Sequence, residues 1–112
     1  RRRLLERLML AGVTVEDPGT TYVDWGVEVG RDTVVLADTH LLGRTTIGAA
    51  CEIGPGSYLH NAFVGDRARV VRSHALDCVI GSGCSVGPFA SIRPNTVLAE
   101  GALAGTFVEI KN

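Results

Sequence analysis

Aliphatic residues recur every six positions through most of this 112-residue chain, and that spacing restricts the fold more than any other feature. Between successive members lies a small or β-branched residue, four positions after the first of them, such as Thr33, Thr45 or Cys84. A helix requires spacings of three and four, and a single strand requires two. A spacing of six fits short strands that each turn a corner before the next begins, which is typical of a parallel β-helix built from hexapeptide repeats. The two unbroken series are Val29, Val35, Leu41, Ile47, Ile53, Leu59 and Ile80, Val86, Ile92, Leu98, Ala104, Ile110.

Glycine spacing indicates three strands in each coil. Gly30 and Gly48 are three hexads apart, and so are Gly87 and Gly105. The regular count is interrupted between Leu59 and Ile80, so we expect residues 71–75 to bulge or to tighten a corner. The predicted inward columns are Val29, Ile47, Val64, Ile80, Leu98; Val35, Ile53, Val70, Val86, Ala104; and Leu41, Leu59, Leu76, Ile92, Ile110.

The two ends of the chain differ from the repeat. Residues 1–11 have the pattern of an amphipathic helix, with Leu4, Leu5 and Leu8 on one side and Gly12 as its end. Residues 14–26 are irregular and are expected to form a degenerate first coil. The sequence starts without Met and stops within a repeat, so we expect a piece of a longer protein whose β-helix, residues 13–112, is truncated at the C-terminus.

Composition excludes several classes of protein. A formal net charge of −1 argues against a nucleic-acid-binding surface over the whole chain. The sequence shows neither a signal-peptide pattern nor an apolar run near the ~20 residues of a membrane span, so no membrane association is expected. Three Cys without a CxxC motif favour a reducing cytoplasm. Cys51 and Cys84 fall in one small-residue column, two coils apart with Ala68 between them, which is too far for a disulfide; Cys78 receives no role.

Two cationic residues stand out among the outward positions. Arg93 follows Ile92 and Lys111 follows Ile110, so both occupy the same outward position one coil apart. Adjacent strands lie about 4.8 Å apart, and two cations held so close repel unless an anion lies between them. Arg grips phosphate bidentately and Lys adds a point charge, so the pair predicts a phosphate site. Two solvated charges are the alternative.

The remaining polar residues do not predict a metal, catalytic or nucleotide-binding site. His60 lies in the outward column of Arg93, lower in the stack, and His40 and His74 flank corners; none has partners at metal-ligand spacing, so no metal site is predicted. The serines lie in turns or small-residue positions and do not form a nucleophile triad. Gly-x-Gly at 54–56 and at 81–83 is not followed by a helix, so neither is a dinucleotide-binding motif.

Several strings resemble one bacterial enzyme family over essentially the whole chain. They are Arg1-Arg2-Arg3-Leu4-Leu5, Met9-Leu10-Ala11-Gly12-Val13-Thr14, Asp17-Pro18, Thr21-Tyr22-Val23-Asp24, Leu42-Gly43-Arg44-Thr45, Ile47-Gly48, Ile80-Gly81, Val86-Gly87-Pro88-Phe89, Arg93-Pro94 and Gly105-Thr106-Phe107-Val108-Glu109-Ile110-Lys111-Asn112. The family is the bifunctional N-acetylglucosamine-1-phosphate uridyltransferase/glucosamine-1-phosphate acetyltransferase.

The resemblance implies an all-β, left-handed parallel β-helix of hexapeptide repeats that forms a homotrimer, preceded by a linker helix over residues 1–12. It implies acetyl transfer from acetyl-CoA to glucosamine-1-phosphate, on the route to UDP-N-acetylglucosamine for cell-wall and lipopolysaccharide synthesis. It also implies that Arg93 and Lys111 bind the sugar phosphate.

The chain departs from this family in ways that bear on activity. Asn95 stands where the family often has Gly after Arg-Pro. The family's catalytic His base, the rest of its sugar site and its acetyl-CoA-binding coils match nothing in this chain, and neither does its magnesium-dependent uridyltransferase domain. We therefore expect the chain to be inactive alone and to hold no cofactor. The alternatives are the β-helical tail of another sugar-1-phosphate nucleotidyltransferase, or a non-enzymatic oligomerisation scaffold.

Overall fold

A computed structural model describes residues 2–105 and the strand at 109–110, and it begins with the predicted helix. Helix α1 spans Arg2–Leu10, and its three leucines on one face, Leu4, Leu5 and Leu8, are buried as expected. Gly12 follows with a φ of +97°, a left-handed conformation that glycine adopts without a steric penalty, so the helix ends where predicted. No helix among the described residues is long and apolar enough to cross a lipid bilayer.

Short parallel strands follow the helix and pair only with strands of the coils below and above. Most contain two residues, whereas β8 and β10 contain seven each. The strands of the described chain are β1 (Thr14–Val15), β2 (Thr21–Val23), β3 (Glu28–Val29), β4 (Val34–Val35), β5 (Thr39–Leu42), β6 (Thr46–Ile47), β7 (Glu52–Ile53), β8 (Tyr58–Val64), β9 (Arg69–Val70), β10 (His74–Ile80), β11 (Ser85–Val86), β12 (Ser91–Ile92), β13 (Val97–Leu98), β14 (Leu103–Ala104) and β15 (Glu109–Ile110).

The strands stack into three faces around one core. The first face has the order β1-β4-β7-β9-β11-β14 and the second has the order β2-β5-β8-β10-β12-β15. The third stacks β3, β6, the end of β8, the end of β10, and β13. Because β8 and β10 continue through a corner, they belong to both the second and the third face. The predicted fold class, a left-handed parallel β-helix of hexapeptide repeats with a short N-terminal helix, is confirmed.

The strand register confirms the predicted inward columns, with one exception. All five members of the first column and all five of the second pair in the expected order. The prediction that Leu76 belongs to the third column was wrong. Ala75 takes the inward position between Leu59 and Ile92. Leu76 instead pairs with His60 and is half-buried on the outside.

Leu76 is displaced because two corners of that coil are each one residue short. Ala75 follows Val70 after five positions instead of six, so of the two expected alternatives, a bulge or a tightened corner, residues 71–75 form the tightened corner, and Arg72 makes the turn with a φ of +44°. The corners inside β8 and β10 are shortened in the same way, with Asn61 at +52° and Asp77 at +47°.

The irregular segment 14–26 forms two of the three sides of the first coil, and β3 forms the third. Val15 pairs in register with Val35, and Val23 with Leu41, so both extend inward columns toward the helix. The corner between them is longer than the others and contains a 3₁₀ turn at Pro18–Thr20.

Buried hydroxyl groups explain why several hexads have Thr or Ser at the small or β-branched position. The Thr33 hydroxyl donates a hydrogen bond to the Gly48 carbonyl at 2.8 Å and accepts one from the Cys51 amide of the next coil at 3.1 Å. Each such side chain fills a corner and satisfies backbone groups that the strand ladder leaves unpaired. Among the described residues, every buried side-chain nitrogen and oxygen has a hydrogen-bond partner. Hydroxyls at the same position of other coils that also accept a bond from a backbone amide one coil above are those of Thr45, Ser57 and Ser73.

Candidate functional site

Arg93 is an exposed residue directly after β12, on the second face. Strand β15 pairs with β12 in parallel, with Ile110 in register with Ile92, so three hexads bring the backbone back above itself as the site prediction requires. Lys111 lies outside the described residues. The structure therefore gives the position of Arg93, one of the two predicted phosphate ligands. For the other, Lys111, it gives the register of the preceding strand, β15.

The turn after Arg93 explains why the chain tolerates Asn at position 95. Asn95 has a φ of +67°, and Asn is one of the few non-glycine residues that adopt left-handed φ readily. The backbone amide of Asn95 donates a hydrogen bond of 2.8 Å to the backbone carbonyl of Asp77 in the coil below. The departure from the family's Gly is therefore compatible with the same turn.

The outward column of Arg93 contains apolar residues below it. Leu42, His60 and Leu76 pair in register there, and Leu76 lies between His60 and Arg93. Two strand spacings are about 10 Å, so His60 lies too low to share a phosphate group with Arg93.

A column of alternating tyrosine and histidine runs beside it on the same face. Tyr22, His40, Tyr58 and His74 pair in register on β2, β5, β8 and β10. We call them the aromatic ladder, because their ring centroids lie 4.7, 5.6 and 5.5 Å apart in sequence order. The next residue of the column is Ser91, on the strand that leads to Arg93.

His40 and His74 were expected to flank corners, and the ladder that they form with the two tyrosines was not predicted. Each ladder residue directly precedes an inward residue, so the available indication was an aromatic ring at that same hexad position in four consecutive coils.

The third face carries an apolar stripe on its outside. Phe63, Val79 and Val97 pair in register, and their exposed fractions are 49%, 41% and 71%. Apolar side chains at the same outward position of three successive coils form a surface patch, which is typical of an interaction surface.

The cysteines lie inside the β-helix and are free thiols. Cys51 and Cys84 occupy the predicted column with Ala68 between them, as the strand hydrogen bonds show. Burial raises the pKa of Cys78 to about 11, and the nearby Asp77 carboxylate adds to the shift. Such a thiol is almost wholly protonated at neutral pH and is a poor nucleophile or metal ligand. In the described part of the chain, no group of three or more His, Cys, Asp and Glu is placed to hold a metal ion.

Comparison with known proteins places these features in a family context. Residues 26–61 match the family model of the bacterial transferase hexapeptide (six repeats). The bifunctional protein GlmU of Mycobacterium marinum is 51% identical over 111 residues, which cover 99% of this chain and 23% of that protein. GlmU of Nocardia farcinica is 53% identical over 99% of this chain and 22% of its own length. The chain matches one segment of GlmU.

The resemblance found in the sequence is thereby confirmed, and the chain spans less than a quarter of the length of the curated relatives it matches. The GlmU match covers α1 as well as the β-helix, since it extends over almost the whole chain.

A solved structure confirms the fold independently of close sequence similarity. The acetyltransferase domain of PglB from Neisseria gonorrhoeae superimposes with a TM-score of 0.84 at 17% identity, covering 99% of this chain and 57% of that chain. Its complex with acetyl coenzyme A gives a TM-score of 0.80 at 16% identity, over 97% of this chain and 58% of that chain.

Proposed function

We propose that this chain is the phosphate-binding part of an acetyl-CoA-dependent glucosamine-1-phosphate N-acetyltransferase of the GlmU type. The observation that carries the proposal is the 51% identity to GlmU over 99% of the chain, together with Arg93 on the outside of a regular coil. In this proposal the uridyl transfer and the magnesium ion belong to the other part of the GlmU-type enzyme. The product is used for UDP-N-acetylglucosamine.

Arg93 and Lys111 bind the phosphate of the substrate in this proposal. Arg93 emerges from a strand paired in register with its neighbours and is followed by Pro94, whose fixed φ restricts the turn. A guanidinium held in this way binds a phosphate with little loss of backbone freedom, which favours correct placement of the sugar.

The reaction requires groups beyond the phosphate ligands. The amine of glucosamine-1-phosphate attacks the thioester carbonyl of acetyl-CoA, a base takes the amine proton, and the tetrahedral oxyanion collapses with loss of the CoA thiolate. A C–N bond forms and a C–S bond breaks, and the proton can be passed to the thiolate. In this chain Arg93 contributes positioning, and the β-helix wall keeps the site rigid.

Affinity for glucosamine-1-phosphate tests the phosphate site. Replacing Arg93 by Ala removes a charge-assisted contact, so we expect about tenfold weaker binding or more by calorimetry, and Lys111→Ala should act in the same direction. Arg44→Ala is the matched control, because Arg44 is an exposed arginine at the same corner in a lower coil. Equal affinity of R93A and R44A would show that Arg93 is not a phosphate ligand. No measurable binding of the sugar phosphate by the unmodified protein would favour an oligomerisation scaffold.

We also propose that the protein forms a homotrimer through the apolar stripe of Phe63, Val79 and Val97. Two observations support this stripe as an interface: it continues over three coils, and its three apolar side chains are exposed. Sedimentation should then show a trimer that dissociates in Phe63→Ser. Phe89→Ser is the matched control, since Phe89 is similarly exposed at a different corner. A monomer before substitution, or a trimer unaffected by F63S, would contradict the proposed interface.

A further inference from the structure

The aromatic ladder ends one coil below Ser91 and Arg93. Its inner rings are covered on both sides, because His40 lies between Tyr22 and Tyr58, and Tyr58 lies between His40 and His74. The ring of His74 is tilted by 39° against that of Tyr58, with the centroids 5.5 Å apart, and His74 is nevertheless exposed. The side chain in register above it is that of Ser91, which is too small to cover an imidazole ring.

The rise from His74 to the next level of the column matches the separation of two stacked rings. Successive strands lie about 4.8 Å apart, and stacked rings prefer centroid separations of about 4.5–7 Å. A planar or flat ring at the height of Ser91 would therefore continue the ladder at its own spacing. The next outward residue is Arg93, two positions along from Ser91 and directly after β12.

We propose that the sugar ring of a hexosamine phosphate stacks on the open side of His74 while its phosphate is bound by Arg93. The inference rests on the proposed function, because it takes the ligand of Arg93 to be a sugar phosphate. A hexopyranose presents C–H groups on one side of its ring, and these make apolar contact with an imidazole ring. His74 then recognises the sugar, whereas Arg93 recognises the anion that any phosphate ligand shares.

Two probes separate the two contributions. Calorimetry with glucosamine-1-phosphate reports on both, and calorimetry with inorganic phosphate reports only on the phosphate ligands, Arg93 and Lys111. Removing one stacked contact in His74→Ala should weaken glucosamine-1-phosphate binding about threefold to tenfold and leave phosphate binding unchanged. Arg93→Ala should weaken the binding of both ligands.

Two further variants control for folding. His74→Phe keeps a flat ring on Tyr58 and should restore the affinity for the sugar phosphate, which a general loss of structure would not allow. His40→Ala removes a ring covered on both sides and should leave both affinities unchanged. If H74A binds glucosamine-1-phosphate as tightly as the unmodified protein, the stacking proposal is wrong and the phosphate site stands. If the unmodified protein binds neither probe, the proposed function is wrong and the stacking proposal falls with it.

Discussion

Replacement of Thr33 by Val tests whether the buried corner hydroxyls hold successive coils together. The substitution keeps the β-branched shape and almost the same volume, so it removes the two hydrogen bonds of the hydroxyl without opening a cavity. Thr33 is fully buried, and its oxygen is the acceptor for the buried Cys51 amide. Leaving a buried donor unsatisfied costs about 1–3 kcal/mol, and the Gly48 carbonyl also loses its hydroxyl donor.

The free energy of unfolding, from urea titration followed by circular dichroism, measures this cost. A loss of about 1 kcal/mol lowers the melting temperature of a domain of this size by about 4–8 °C, so thermal unfolding gives a second measurement. Thr14→Val is the matched control, because Thr14 is an exposed strand residue and its change should stay within about 0.5 kcal/mol. If T33V is as stable as T14V, the corner hydroxyls fill space without contributing through their hydrogen bonds.

Three further predictions concern the core. Leu59→Ala should lower the free energy of unfolding by about 2–5 kcal/mol, and Leu76→Ala by about 1 kcal/mol or less, because Leu59 is fully buried and Leu76 lies on the outside. Cys78 should react with iodoacetamide at pH 8 far more slowly in the folded protein than in urea: burial and Asp77 raise its pKa to about 11, which leaves roughly a thousandth of it as thiolate. Gly30→Ala should destabilise the fold by about 1–3 kcal/mol in urea titration, because its Cβ would lie 2.5 Å from a backbone carbonyl carbon of the coil above. Equal stabilities, equal alkylation rates, or a fully stable G30A would each contradict the corresponding reasoning.

The inward columns were predictable because each coil repeats the same steric requirement. An inward side chain must fit between its equivalents one strand below and one above, so a spacing error would turn an aliphatic residue toward solvent. The misplacement of Leu76 shows where this reasoning fails. Counting six forward from Val70 gives Leu76, whereas counting five back from Ile80, as the preceding Leu59-to-Val64 corner requires, gives Ala75.

Hydrophobicity alone favours Leu76 over Ala75 at that position. The structure shows that the shortened coil selects the smaller residue instead, between Leu59 below and Ile92 above. Loss of a residue at each of two corners determines which residue faces inward, and this depends on backbone turns at Arg72 and Asp77 that composition does not reveal.

The neighbours of outward residues are harder to predict, because no packing requirement fixes the spacing of these residues. Which of them lie side by side is known only once the strand register is known. Arg93 was recognisable because a second cation stands three hexads later, in a part of the chain with complete coils. The aromatic ladder includes one interval, from Tyr58 to His74, that falls two positions short of three hexads and is nevertheless regular in space. The same shortened coil that moved Leu76 outward therefore also brings His74 into line beneath Ser91. If that coil had three complete hexads, His74 would not be the residue in register with Tyr58, and the imidazole proposed to support the sugar ring would lie elsewhere on the corner.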